Sequence, residues 1–206
     1  MVEGIDDRKV IEKLLRRRKI TFDFEIRNCD GLDKLLRLFL TAVQTRTHEG
    51  VVGVIVDADD FLSERWQTLR GILRRQGYEN LPSDPNPKGT ILTDEDEELP
   101  KIGIWLMPNN RTAGTIEDFV RFLVPVNDDL LPVAEKKVDK LISAGKNRFA
   151  IAQKSKAVIH TWLAWQERPG TLLGNAVTYR FVRTQDYLLD DGKASLFVEW
   201  LKKLFR

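Results

Sequence analysis

The sequence predicts an α/β fold: a mostly parallel sheet flanked by helices, with extra C-terminal helices. Three observations predict it. The run Val51-Val52-Gly53-Val54-Ile55-Val56 is short, continuous and β-branched, which suits a parallel strand buried on both faces. Through the first half, stretches with helical apolar spacing alternate with strand-like runs, and that alternation implies a sheet covered by helices. The second half carries helical patterns separated by Pro and Gly turns.

Each element has its own signal. Residues 6–19 place Val10, Ile11, Leu14 and Leu15 at helical spacing among charges. Residues 20–26 alternate strictly, with Ile20, Phe22, Phe24 and Ile26 on one side, and predict a strand with one wet face. Asn28-Cys29-Asp30-Gly31 is a turn, and residues 32–44 are a second amphipathic helix. The strand 51–56 runs into Asp57-Ala58-Asp59-Asp60, and a third helix covers 61–76. Residues 81–89 hold three prolines and read as loop, followed by strands at 90–93 and 101–107. Helical segments follow at 114–145, 155–167 and 194–205. A chain of 206 residues is read as one domain, with residues 1–113 as the α/β core and 114–206 as a mainly helical extension packed on it.

Composition excludes several function classes. Thirty-three basic against 31 acidic residues leave a formal net charge of +2, so the chain is no general basic coat for nucleic acid. Cys29 is the single cysteine, and His48 and His160 are the two histidines, which argues against disulfide frameworks and zinc sites. No apolar run reaches the ~18 residues of a membrane span, and no apolar leader follows Met1, so a cytoplasmic location is expected. There is no Gly-rich loop of the Walker type, so ATP hydrolysis by this chain is not indicated.

The acids are the candidate chemistry. Asp57 and Asp59 follow the most buried-looking strand, and residues two apart in a strand share a face. Strand C-termini are where open α/β sheets bind ligands. Two carboxylates that close repel unless a cation separates them, and oxygen-only ligands suit Mg²⁺ or Mn²⁺. The plainer alternative is a helix cap in a solvated turn, a role that fits Asp60 best. Glu3 precedes Gly4 at a strand-to-helix turn and would face the same mouth, although only Met1 and Val2 precede it, so that strand is very short or starts upstream. Asp6 and Asp7 sit in a first helical turn, where acids also simply favour the helix dipole. Thr115 to Asp118 has the form of a capping box, with Asp118 as the capping partner and Glu117 at the same helix mouth.

With Glu3 at one strand end and Asp57-x-Asp59 at another, the chain resembles the Toprim family, the catalytic domain shared by topoisomerases, DnaG-type primases and the OLD nucleases. Val2-Glu3-Gly4-Ile5-Asp6-Asp7 and Val54-Ile55-Val56-Asp57-Ala58-Asp59 carry the resemblance. It is similar in particular to a small stand-alone Toprim-like branch of uncharacterised function, through Met107-Pro108-Asn109-Asn110, Gly114-Thr115-Ile116-Glu117-Asp118, the stretch from Lys156 to Gln166, and Phe197-x-x-Trp200-Leu201. The resemblance implies a Toprim-like sheet and a Mg²⁺- or Mn²⁺-dependent nuclease or other phosphodiester-cleaving hydrolase. It implies metal ligation by Asp57 and Asp59, metal binding or general-base action by Glu3, and a second metal position completed by Asp7 and Glu117. Lys156 is then the candidate phosphate contact and catalytic cation.

Arg16, Arg17 and Arg18, with Arg74 and Arg75, form two basic faces that could meet a nucleic-acid backbone, DNA rather than RNA; a solvated helix face is the alternative. The near-neutral charge points to a partner protein, such as an ATPase, that helps grip the polymer. Two other functions remain open: a non-catalytic metal-binding Toprim module that recognises nucleic acid or protein, and a phosphoryl or nucleotidyl transferase on small phosphorylated substrates. The acids at 94–98 alternate in direction and read as a solvated turn, His160 as a core or helix-face residue, and Phe197, Trp200, Leu201 and Leu204 as helix packing.

Overall fold

The structure is a computed structural model that describes residues 1–21, 23–45, 47, 49–94 and 98–206. Phe22 of the expected second strand, His48 and residues 95–97 of the acidic run lie outside the described residues. The fold is mixed α/β, with a three-stranded sheet between two layers of helices. Strands β1 (Val51–Asp57) and β3 (Lys101–Met107) pair in parallel, with Val54 opposite Ile104. β2 (Thr90–Leu92) lies antiparallel on the far side of β3, so the sheet is mixed rather than mostly parallel. The connection through residues 93–100 is shorter than the ~12 residues that a parallel crossover needs, which forces the antiparallel pairing.

The expected first strand is reduced to one bridging residue. Val2 forms parallel bridges to Ile55 on one side and Asn28 on the other. Its N–H donates to Arg27 O at 2.9 Å, and Ile55 N–H donates to Met1 O at 3.0 Å. The strand expected at 20–26 is corrected, since residues 23–27 form no strand. The alternation there records burial rather than pairing: Ile26 is buried and Phe24 stacks on Phe205 with ring centroids 4.0 Å apart, while Asp23 and Glu25 face solvent. Hydrogen bonding to Val2 starts only at Arg27.

The helices are α1 (Ile5–Arg17), α2 (Leu32–Thr45), α3 (Leu62–Arg75), α4 (Ile116–Phe122), α5 (Leu130–Ser143), α6 (Lys154–Ala164), α7 (Leu173–Ala176) and α8 (Ser195–Leu204). The single helix expected over 114–145 is therefore two. Pro125 has no N–H to continue the ladder, and Asp128 Oδ1 restarts it by accepting from Leu130 and Leu131 N–H at 3.0 and 2.7 Å. Among the described residues no helix is long and apolar enough to cross a membrane.

The period of two along the strands sorts the core. Val52, Val54, Val56, Ile102, Ile104 and Leu106 face α2 and α3, against Leu35, Phe39, Trp66 and Leu69. Ile55, Trp105 and Met107 face the other layer, against Val10 and Leu14 of α1, Phe119 of α4 and Phe197, Trp200 and Leu204 of α8. Trp105 meets Phe197 edge-on at 5.1 Å and Trp200 at 5.5 Å, contacts worth about 0.5–1.5 kcal/mol each beyond area burial. Gly53 and Gly103 are partners in register, and a Cβ at Gly103 would lie 2.2 Å from Leu204 Cδ2. The end of α8 thus rests directly on sheet backbone. Asp57 continues the Ile55 face, so its side chain is directed to the α1 and α4 layer.

Candidate functional site

Five acids, distant in the chain, meet where β1 ends. Asp57 closes β1, Glu3 sits between the Val2 bridge and α1, Asp7 is in the first turn of α1, Asp59 follows β1, and Glu117 is in the first turn of α4. The ladder that joins Met1 to Ile55 continues through a side chain, as Asp57 N–H donates to Glu3 Oε1 at 2.8 Å. Asp7 is 5% exposed and Glu117 7%. Asp7 Oδ1 and Asp57 Oδ1 are out of solvent contact and have no hydrogen-bond partner, which is costly for any polar atom and more so for a carboxylate.

The electrostatics show that these groups share one field. Burial first, then the charges of Asp7, Glu3, Glu117 and Asp59, push the Asp57 carboxyl up to about 9. Burial, with Glu3 and Glu117 adding, pushes Asp7 up to about 7. Burial also raises Glu3, opposed by the Asp57 N–H and by Arg65. Left to itself, the Asp57 carboxyl retains its proton at neutral pH.

Asp59 departs from expectation. β1 stops at Asp57, and Asp59 turns into the left-handed region at φ 49°. Its backbone pairs with Gly114, donating at 3.0 Å and accepting at 2.7 Å. The shared strand face expected for Asp57 and Asp59 is therefore absent: Asp57 points into the cluster, while the half-exposed Asp59 accepts from Arg65 Nη2 at 2.5 Å. Arg65 Nε also donates to Asp57 O at 2.9 Å. Asp60 is not the cap of α3, whose first flanking residue is Phe61, without a side-chain cap bond.

The Asp59–Gly114 pairing draws the 108–114 loop, and with it the start of α4, to the end of β1. Asn110 Oδ1 accepts from Leu106 N–H at 2.7 Å and ties the loop to β3. Thr115 and Asp118 form the capping box, with Thr115 N–H donating to Asp118 Oδ2 at 2.9 Å and Ser155 Oγ donating to Asp118 Oδ1 at 2.7 Å. That leaves Glu117 to the cluster, where it accepts from Thr115 Oγ1 at 2.8 Å and meets Lys156 Nζ at 3.7 Å. Lys154, two residues earlier on α6, pairs instead with Asp139 at 2.6 Å.

The basic faces lie elsewhere. α1 and α3 both begin at the acid end, so Arg16, Arg17 and Arg18, and Arg74 and Arg75, sit roughly 14–20 Å away toward the helices' other ends, at 1.5 Å per residue. Arg17 donates to Val177 O and Leu189 O at 2.8 and 2.9 Å and lies over the Tyr187 ring. Arg18 donates to Asp191 O and Ser195 Oγ at 2.7 and 2.9 Å. These two fasten the 177–195 segment to α1; Arg16, Arg74 and Arg75 are exposed.

Arg65 is the site residue that sequence reasoning passed over. It had a signal: a cation in the first turn of a helix opposes the dipole and calls for a nearby acid. Among the described residues, no three of the Asp, Glu, His and Cys side chains are gathered tightly enough to hold an ion as they stand. The donor set nevertheless fits a hard divalent cation: it is all carboxylate, it shares one field, and it offers two buried oxygens without partners. A groove of about 680 Å³ runs beside Gly50 to Gly53 and residues 23–27, and none of the five acids lines it.

The whole chain, residues 1–206, matches the family described as Protein of unknown function (DUF3226), and belongs to it. No curated protein and no solved structure matches the chain.

Proposed function

We propose that this member of the DUF3226 family is a Toprim-like, Mg²⁺- or Mn²⁺-dependent enzyme that cleaves nucleic-acid phosphodiesters. The observation that carries the reading is the convergence of Glu3, Asp7, Asp57, Asp59 and Glu117 on the end of β1, with Asp7 Oδ1 and Asp57 Oδ1 buried and unpartnered. Acids in that number would repel an anionic substrate. A bound divalent ion supplies the charge that inverts this field and polarises the phosphoryl oxygen. Asp57, Asp7 and Glu117 would hold it from the buried side, and Asp59 from the exposed side.

The chain's own groups do the rest. Glu3 fixes the Asp57 backbone through Oε1 and keeps Oε2 to accept a proton from the attacking water. Lys156, half-exposed at the rim, neutralises a phosphate once it parts from Glu117. The 108–114 loop holds the start of α4, and hence Glu117, in place. The test is Mn²⁺-stimulated nicking of plasmid DNA or degradation of single strands. Asp57→Asn and Asp59→Asn should each abolish it; cleavage that survives both substitutions removes the reading.

A second reading is favoured by one observation: the basic residues stand at the far ends of α1 and α3, and Arg17 and Arg18 are spent on the chain's own backbone. On that reading the chain is a metal-binding module, and a partner protein such as an ATPase supplies the grip on nucleic acid. Mn²⁺ binding without cleavage of any polymer distinguishes it, and phosphate release from nucleotides with polymers intact would instead identify a transferase or phosphatase.

A further inference from the structure

Arg65 is anchored differently at its two contacts. Its Nε holds the carbonyl of Asp57, a backbone atom that cannot leave, at 2.9 Å. Its Nη2 holds the carboxylate of Asp59, a side chain 53% exposed, at 2.5 Å, while Arg65 itself is 14% exposed. The guanidinium is also close enough to bear on Glu3. Inside the cluster, the unpartnered oxygen of Asp7, a residue 95% buried by its 5% exposure, faces the fields of Glu3 and Glu117.

We propose that Arg65 is a positioning residue that couples cation and phosphate binding: its fork holds Asp59 out of the cluster until a phosphate group takes the Nη2 position and releases Asp59 to the cation. The proposal rests on the metal-dependent reading above and extends it. The planar fork stays oriented by the Asp57 carbonyl, so one N–H passes from a carboxylate oxygen to a phosphate oxygen with its geometry intact. Binding of either ligand then favours the other by the same factor.

The test follows free Mn²⁺ by its EPR signal in titrations of the wild-type chain and Arg65→Gln. Each is run alone, with thymidine 5′-monophosphate, and with a phosphorothioate oligothymidylate; the probe that produces coupling identifies a nucleotide or a polymer as the phosphate's source. Without phosphate, Arg65→Gln should bind Mn²⁺ roughly fivefold tighter than wild type, because the competing pair and a nearby positive charge are gone. With phosphate, wild type should gain roughly fivefold and Arg65→Gln less than twofold. A merely structural Arg65 would weaken Mn²⁺ binding when removed, or leave the phosphate effect unchanged, and either result overturns the proposal. Should Arg65→Gln fail to fold by circular dichroism, Arg65→Lys serves in its place: it keeps the charge, spans one contact instead of two, and should lie between the two affinities, whereas a wild-type affinity and coupling would overturn the proposal. Wild-type protein that binds no Mn²⁺ sinks the metal-dependent reading together with this one; Mn²⁺ binding indifferent to Arg65 sinks this one alone.

Discussion

Asp57→Asn should stabilise the protein in the absence of divalent cation. The Asp57 carboxyl stands at an ordinary 3.8 in the unfolded chain and at about 9 in the folded one, chiefly through burial. Between those values the folded state keeps a proton that the unfolded state has released, so folding stability falls as pH rises through the window. At pH 7 the gap is about three units, a ceiling of about 4 kcal/mol at 1.36 kcal/mol per unit. Asn is neutral and nearly isosteric, so it removes most of this cost. We expect it to recover about 2–4 kcal/mol at pH 7, or roughly 4–16 °C in Tm for a chain of this size, and almost nothing at pH 4. The assay is thermal unfolding by circular dichroism from pH 4 to 9 in EDTA, for wild type and variant. Mg²⁺ or Mn²⁺ should then raise the wild-type Tm at pH 8 and leave the variant's unmoved. Wild type as stable as the variant at pH 8 without metal would refute the argument that Asp57 is buried at a cost.

Three further outcomes follow from the same geometry. Asp59→Asn should cost under about 1 kcal/mol in urea unfolding, since the Asp59 side chain is half-exposed and Asn keeps an oxygen to accept from Arg65, while abolishing cleavage; a large loss of stability would contradict its placement. Gly103→Ala should destabilise by about 1–3 kcal/mol, because its Cβ would meet Leu204 at 2.2 Å, and Gly53→Ala should cost less, at 3.1 Å; the urea midpoints should rank in that order. Lys156→Met should raise the KM for a nucleic-acid substrate more than it changes Tm, and an unchanged KM would remove Lys156 from the rim's phosphate contacts.

What the sequence discloses depends on how local the cause is. The run 51–56 and the segment 101–107 announce themselves because a strand buried on both faces must be apolar throughout, and the strands appear there. The capping box at Thr115 and Asp118 is legible because its partners are three residues apart. The 20–26 segment misleads because alternation reports one buried face, and a segment lying on the core without pairing produces the same pattern. Gly53 and Gly103 give no hint of their purpose until α8, a hundred or more residues later, lands on them. At the site, the acids stand out as residue types, but Asp7 meeting Glu117, and Asp59 leaving the strand face to pair with Arg65, are consequences of how α1, α3 and α4 converge on β1. Likewise, the arginines at 16–18 look like a basic face in the sequence, and only the packed 177–195 segment shows two of them engaged.

The most direct trial of the shared carboxylate centre is a calorimetric titration of Mn²⁺ into wild type and Asp57→Asn. The arrangement at the end of β1 predicts saturable binding with proton release in wild type, because Asp57 and Asp7 must ionise, and loss of that binding in the variant. Identical heats from both proteins, or none from wild type, would contradict it.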